Sequence, residues 1–158
     1  MSDIIKLNYP RIYEELKELV CTCEPLYPGI DLWFKRKVLP DLLDGAREAF
    51  VCDHDSSLVG AYIIKHKSAS RIKICLMRVL PHVRSCGFGR EMLSNIVGQH
   101  IGKEIYFTAP EPIALEYKDW FAGFGFKWNG KADKTATAYG DEILFSNRGQ
   151  DDNAHFPK

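Results

Sequence analysis

The chain has no excess of charge of either sign: 21 Lys and Arg stand against 21 Asp and Glu, for a formal charge of zero at pH 7. No global field therefore holds it on nucleic acid or on an anionic membrane, and nucleic acid is not an expected partner. A long apolar run is also missing. The stretch from Ile72 to Leu80 is among the longest and contains Lys73 and Arg78, far short of the roughly 20 residues a membrane helix needs. The Met1-Ser-Asp start has no basic segment followed by an apolar one, so no secretory signal is expected. The five cysteines are an odd number at irregular spacing, which does not read as a disulfide framework. Cys21-Thr-Cys23 is the only close pair, with no second pair or His-x-x-x-His to complete a zinc site, and no metal is expected. These absences point to a cytoplasmic protein with reduced thiols and no membrane partner.

Internal repeats are absent, and so are two phosphate-binding signatures. A dinucleotide fingerprint would want a third glycine where Met92 stands, and G-x-x-x-x-G-K-[ST] occurs nowhere. What is present is enough chain for one buried core. Residues 1–147 read as a single domain, and the polar, aperiodic 148–158 as a flexible tail.

Ile4, Ile5 and Leu7 suggest a first strand, and Pro10 opens a helix with Ile12, Tyr13, Leu16, Leu19 and Val20 on one face. After Pro25, Pro28 and Gly29 break the chain, Asp31 is the expected cap of a second helix ending at Gly45, which Pro40 should kink or divide. From Ala46 the period becomes that of strands. Residues 49–53 and 58–65 form a hairpin with a bulge expected at Gly60, and 72–80 form the next strand, stopped by Pro81. A helix over 89–99 buries Met92, Leu93, Ile96 and Val97. The apolar 105–108 reads as a sheet-interior strand, Pro110 and Pro112 start a helix through Phe124, and strands follow at 126–130 and 142–145. The order describes an α+β domain around one mixed sheet of about seven strands with four helices.

The most informative stretch is Val79-Leu-Pro-His-Val-Arg-Ser-Cys-Gly-Phe-Gly-Arg90, where an apolar strand ends in a glycine-bearing loop that opens an amphipathic helix. Gly87 and Gly89 leave backbone N–H groups uncovered, and the helix adds its positive N-terminus, a combination that favours a pyrophosphate. Arg84 and Arg90 add charge at the rim. The order Arg84, Gly87, Gly89 is R-x-x-G-x-G, and with Val79 and Pro81 ahead of it the run resembles the acyl-CoA loop of the GNAT acetyltransferase superfamily. Trp120-Phe-Ala-Gly-Phe-Gly-Phe126 is similar to the F-Y-x-x-x-G-F ending of that family's last helix. The likeness is good over 48–128, looser before Glu48 and weakest after Gly130.

The resemblance implies a GNAT-like acyl-CoA N-acyltransferase fold with acetyl-CoA as co-substrate and an amine as acceptor. The co-substrate would be gripped by Val79, Leu80, Arg84, Ser85, Cys86, Gly87, Phe88, Gly89 and Arg90. It also implies fourth and fifth strands that splay apart, so that backbone at Met77, Arg78, Val79 and Leu80 binds the pantetheine arm. A backbone N–H aimed at the developing oxyanion is worth about 3 kcal/mol. The acetyl group would pass to the amine by direct attack.

The chain departs from the family at the usual catalytic positions. Phe121 stands where the family often has a proton-donating Tyr, Ala114 where it has an Asn, and Thr108 or Ala109 where some members carry an acid. Tyr117, one turn earlier on the same helix face, is the candidate acid, and the same stripe reads equally well as packing aromatics. His82 suits a base or a solvated surface histidine, and Glu111 and Glu116 lack positional support. Cys86, beside a helix N-terminus and two arginines, is either an activated thiol or a loop position giving only its amide. In this family the first two helices and last two strands line the acceptor side. There Trp33-Phe-Lys-Arg-Lys37 offers a dock for an acidic or nucleic-acid-bound acceptor or simply a wet helix face. The acceptor itself (small molecule, protein or aminoacyl group) is left open, and a homodimer is compatible with the sequence. The rival readings are a non-catalytic acyl-CoA-binding module and an interaction domain that has lost the ligand.

Overall fold

Three long strands form the centre because residues 47–79 alternate or are apolar throughout and are interrupted only by tight polar turns. The computed structural model describes residues 2–8, 12–132 and 141–148. The expected helix start at Pro10, the side chains of Ile12 and Tyr13, and residues 149–158 of the expected tail lie outside them. Strand β1 (Asp3–Lys6) leads to helix α1 (12–21) and helix α2 (30–44), followed by β2 (Arg47–His54), β3 (Ser57–Ser68) and β4 (Arg71–Val79). Helix α3 (Phe88–Gln99), β5 (Glu104–Pro110), helix α4 (Glu111–Ala122), β6 (Lys127–Lys131) and β7 (Glu142–Ser146) complete the order. One seven-stranded sheet runs β1-β2-β3-β4-β5-β7-β6, antiparallel throughout except for the parallel β4–β5 pair. The α+β expectation of a mixed sheet of about seven strands with four helices holds.

The sheet buries both faces. Leu16, Leu19, Val20, Phe34 and Val38 of α1 and α2 pack on Ala49, Val51, Ala61 and Ile63. Phe88, Met92, Leu93 and Ile96 of α3 and Ala114 and Phe121 of α4 pack on the opposite face with Tyr62, Ile64, Ile72 and Phe107. Among the described residues no helix is long and apolar enough to cross a membrane.

Local chemistry explains the joints. The β2–β3 hairpin turns on Asp55 and Ser56, both at positive φ, the backbone of a two-residue turn that matches strand twist. The expected bulge near Gly60 falls one residue earlier: Cys52 faces Gly60 while Asp53 faces Leu58, which leaves Val59 as the extra residue. Gly60 has a different duty, since a Cβ there would lie 2.6 Å from the Arg78 carbonyl oxygen. Pro40 does divide its helix: 34–38 widen into a π turn, and the α segment resumes at Leu39. Asp31 is not the cap. Gly29 holds that position at φ +80°, and the Glu24 carboxylate reaches over from the preceding turn to accept from the N–H groups of Gly29 and Ile30 at 2.8 and 3.1 Å. A longer acid in a folded-back loop thereby does the work of a local one.

Candidate active site

The sheet opens between β4 and β5. Only Arg71, Ile72 and Lys73 pair with β5, against Glu104, Ile105 and Tyr106. The Arg71 Nε donates to Glu104 at 2.7 Å and fastens this closed end. Beyond it a β-bulge intervenes: Ile74 faces Ile64 while Leu76 faces Ile63, so Cys75 is the extra residue. Such an insertion bends and twists the strand that carries it. On its other edge β5 pairs with β7 from Tyr106 to Pro110. Among the described residues the β5-facing backbone of β4 past Lys73 has no strand partner, and a cleft of about 490 Å³ occupies the gap.

At the far end of β4 the chain passes Leu80, whose N–H bonds the Val59 carbonyl, and a single 3-10 turn over Pro81–Val83. It then enters the loop before α3. Arg84, Ser85, Cys86 and Gly87 are all exposed. Ser85 and Gly87 take positive φ, +65° and +93°, which folds the loop back over the helix start. No side chain caps α3, and its first backbone bond is Glu91 N–H to Gly87 O at 3.1 Å. Among the described residues the N–H groups of Phe88, Gly89 and Arg90 thus have no protein acceptor, the usual state of a first helical turn. Phe88 is buried and anchors the turn. A Cβ at Gly89 would enter the space between Val79 and Trp120, 3.6 to 3.9 Å from either, so Gly89 leaves a gap between β4 and α4. The Arg90 guanidinium lies over the Phe124 ring at 5.5 Å.

The walls of the cleft come from both faces of the sheet. Leu93, Phe107, Ile113 and Phe121 supply one apolar side; Tyr27, Ile30 and Trp33 supply the other. Three cations, Arg47, Lys73 and Arg78, and one carboxylate, Glu142, also line it. Glu142 is only 3% exposed and accepts a 3.1 Å hydrogen bond from the Tyr27 hydroxyl. Burial, and then the Glu142 charge, push the Tyr27 phenol well above the ordinary tyrosine range, so it stays a donor. The thiols of Cys23 and Cys75 line the cleft too, and burial pushes both up.

Val79 to Arg90 are thus gathered at one end of the opening. Tyr117 is 41% exposed, stands 6.3 Å from the rings of Trp120 and Phe121, and does not line the cleft. Phe121 does, packed at 4.9 Å on both Phe107 and Phe145. His82 and Glu116 are exposed, while Glu111 is half-buried at the start of α4. Lys35, Arg36 and Lys37 all face solvent on α2. Sequence reasoning passed over Tyr27, Arg47 and Glu142, which come together only through the fold.

No family model matches the sequence, and no curated protein matches it. Solved structures do. Naa50 of Arabidopsis thaliana, in complex with a bisubstrate analogue, superposes with a TM-score of 0.72 at 18% identity, over 92% of this chain and 97% of that one. A GNAT-family acetyltransferase of Staphylococcus aureus gives 0.70 at 14% identity, over 92% and 98%. The PaiA N-acetyltransferase of Thermoplasma acidophilum, in complex with coenzyme A, gives 0.64 at 16%, over 92% and 98%. The fold is therefore that of the GNAT acetyltransferases.

Proposed function

We propose that this protein is an N-acetyltransferase that moves the acetyl group of acetyl-CoA to an amine by direct attack. The observation that carries this reading is the parting of β4 from β5 beside a helix start with three free N–H groups. The residues fit the donor chemically. The N–H groups of Phe88, Gly89 and Arg90 would hold the pyrophosphate, with Arg84 and Arg90 as nearby charge and Ser85, Cys86 and Gly87 shaping the loop. Val79 and Leu80 would begin the path of the pantetheine arm, which has a free strand edge to bond and a gap at Gly89 to pass through.

The amine lone pair attacks the thioester carbonyl carbon, the C–S bond breaks, the nitrogen gives up a proton as it becomes an amide, and the CoA thiolate takes one up. The ammonium proton must leave before attack. Holding donor and acceptor together in one cleft supplies much of the rate. Tyr117, exposed on α4 one turn before Phe121 and outside the cleft wall, is the proposed donor to the thiolate. Burial keeps the Cys23 and Cys75 thiols protonated, which makes them poor nucleophiles and favours direct transfer over an acyl-thiol relay. Five free thiols suit the cytoplasm as its location.

Calorimetry with acetyl-CoA, followed by CoA-thiol release against a panel of amines, tests the proposal. Heat of binding and amine-dependent thiol release are expected. Binding without release from any amine would identify the non-catalytic module that Phe121 allows, and no binding would remove both readings.

A further inference from the structure

The cleft is built for an acceptor of particular charge. Glu142 is a buried carboxylate whose hydrogen-bond partner is a neutral phenol, and no cation is paired with it among the described residues. A carboxylate taken out of water in this way favours the arrival of a positive group. Arg47 is the reverse case. It is 9% exposed, its Nε donates to Asp41 at 2.9 Å, and its guanidinium lies 5.5 Å from the Trp33 ring centre. Its Nη1 is nonetheless buried without an acceptor. Asp41, the carboxylate beside it, also takes a 2.8 Å hydrogen bond from Lys65. Lys73, two residues from the bulge, lines the same cleft and forms no ion pair among the described residues, and the Nε of Arg78 is likewise buried and unpartnered. A guanidinium presents its nitrogens as a fork suited to a planar anion.

Resting on the acetyltransferase reading above, we propose that the acceptor is an amine bearing an anionic group of its own, the anion held by Arg47 and Lys73 and the amine end by Glu142. A zwitterion of this kind offers a cation to the Glu142 carboxylate and an acceptor to the free Arg47 Nη1 and the unpaired Lys73. A plain alkylamine or a polyamine would meet three cations in the cleft and only one carboxylate. Glu142 and Arg47 therefore set specificity, and Tyr27 positions the Glu142 carboxylate.

The test uses the intact protein and matched probes: ω-amino acids of increasing chain length, each beside the alkylamine of the same length. O-phosphoethanolamine beside ethanolamine separates phosphate from carboxylate. With acetyl-CoA present, at least one acid-bearing probe is expected to exceed its neutral partner tenfold or more in kcat/KM. Arg47→Gln and, as a less buried alternative, Lys73→Gln should shrink that ratio to within about twofold. Equal or better use of every neutral probe overturns the proposal, as does a preference that survives both substitutions. Calorimetry of the same probes with CoA-saturated protein separates the two claims. Selective binding of an acid-bearing probe without turnover keeps the charge assignment and removes the transferase. Turnover without selectivity does the opposite. Failure of every probe to bind or react removes the charge assignment.

Discussion

The Tyr27 hydroxyl donates to Glu142 across 115 residues of sequence, and in doing so ties the α1–α2 connection to the first residue of β7 at the mouth of the opened sheet. Removing the donor strands a carboxylate that is nearly out of reach of water. Tyr27→Phe should lower stability by about 1–3 kcal/mol in urea titrations. Because burial and Glu142 both raise the phenol pKa, an alkaline absorbance titration of the variant should match that of the parent up to about pH 11. Loss of a phenol titrating near the normal tyrosine value would contradict this.

Gly60 is required by its neighbour across the β3–β4 ladder. Gly60→Ala places a methyl against the Arg78 carbonyl oxygen and the Met92 side chain. The backbone carbonyl cannot swing aside cheaply. A cost of about 1–3 kcal/mol is expected from thermal or chemical melts, and a neutral result would mean that the strands are looser there than described.

The two loop glycines should respond differently. Gly87 sits at φ +93° with nothing near its missing Cβ, so Gly87→Ala costs backbone strain of about 1–2 kcal/mol. Gly89→Ala meets only ordinary contacts and should leave the melting temperature nearly unchanged. Gly89→Val, which fills the space between Val79 and Trp120, should abolish acetyl-CoA binding in calorimetry while the fold persists. Retained affinity in the valine variant would remove the pyrophosphate assignment.

Asp41 gives a pH signature. A hydrogen bond from Lys65, joined by the Arg47 charge, holds its carboxyl below the usual range. A carboxylate whose pKa falls on folding contributes stability at pH values above its unfolded pKa and loses it as the pH drops through the folded value. Asp41→Asn should therefore cost about 2 kcal/mol at neutral pH. The difference from the parent should narrow below about pH 4. Denaturant titrations across pH 3 to 7, roughly the carboxylate range and above, read this directly, and a gap that widened on acidification would refute it.

Tyr117→Phe tests the proposed proton donor. Turnover should fall while acetyl-CoA affinity holds, because the hydroxyl is asked to act only on the leaving thiolate. An unchanged rate would return Tyr117 to the role of packing partner for Trp120 and Phe121.

The fold was legible where its signals were local. Proline and glycine stops, strand alternation and the spacing of Met92, Leu93 and Ile96 each lie within a few residues, and each element stands close to where the sequence put it. The position of the Arg84 to Arg90 loop between a strand and a helix was readable for the same reason, while its ligand stays a proposal. The Glu24 cap, the Cys75 bulge and the Tyr27, Arg47 and Glu142 constellation were not. Glu24 acts across a turn whose closure no pattern announces. Cys75 sits inside a near-continuous apolar run, where one extra residue leaves no mark. Tyr27, Arg47 and Glu142 are ordinary residues in sequence and come to line one cleft only through the fold.

The extra residue at Cys75 also makes strand length a more stringent constraint than strand composition. Ile72 and Ile74 face one layer of helices, and after the bulge Met77 and Val79 return to that same layer. Exchanging one apolar side chain for another would leave that alternation intact. Excising Cys75 itself would restore strict alternation, with Leu76, Met77 and Val79 keeping their layers, and would remove the bend that parts β4 from β5, so the opening depends on a residue count.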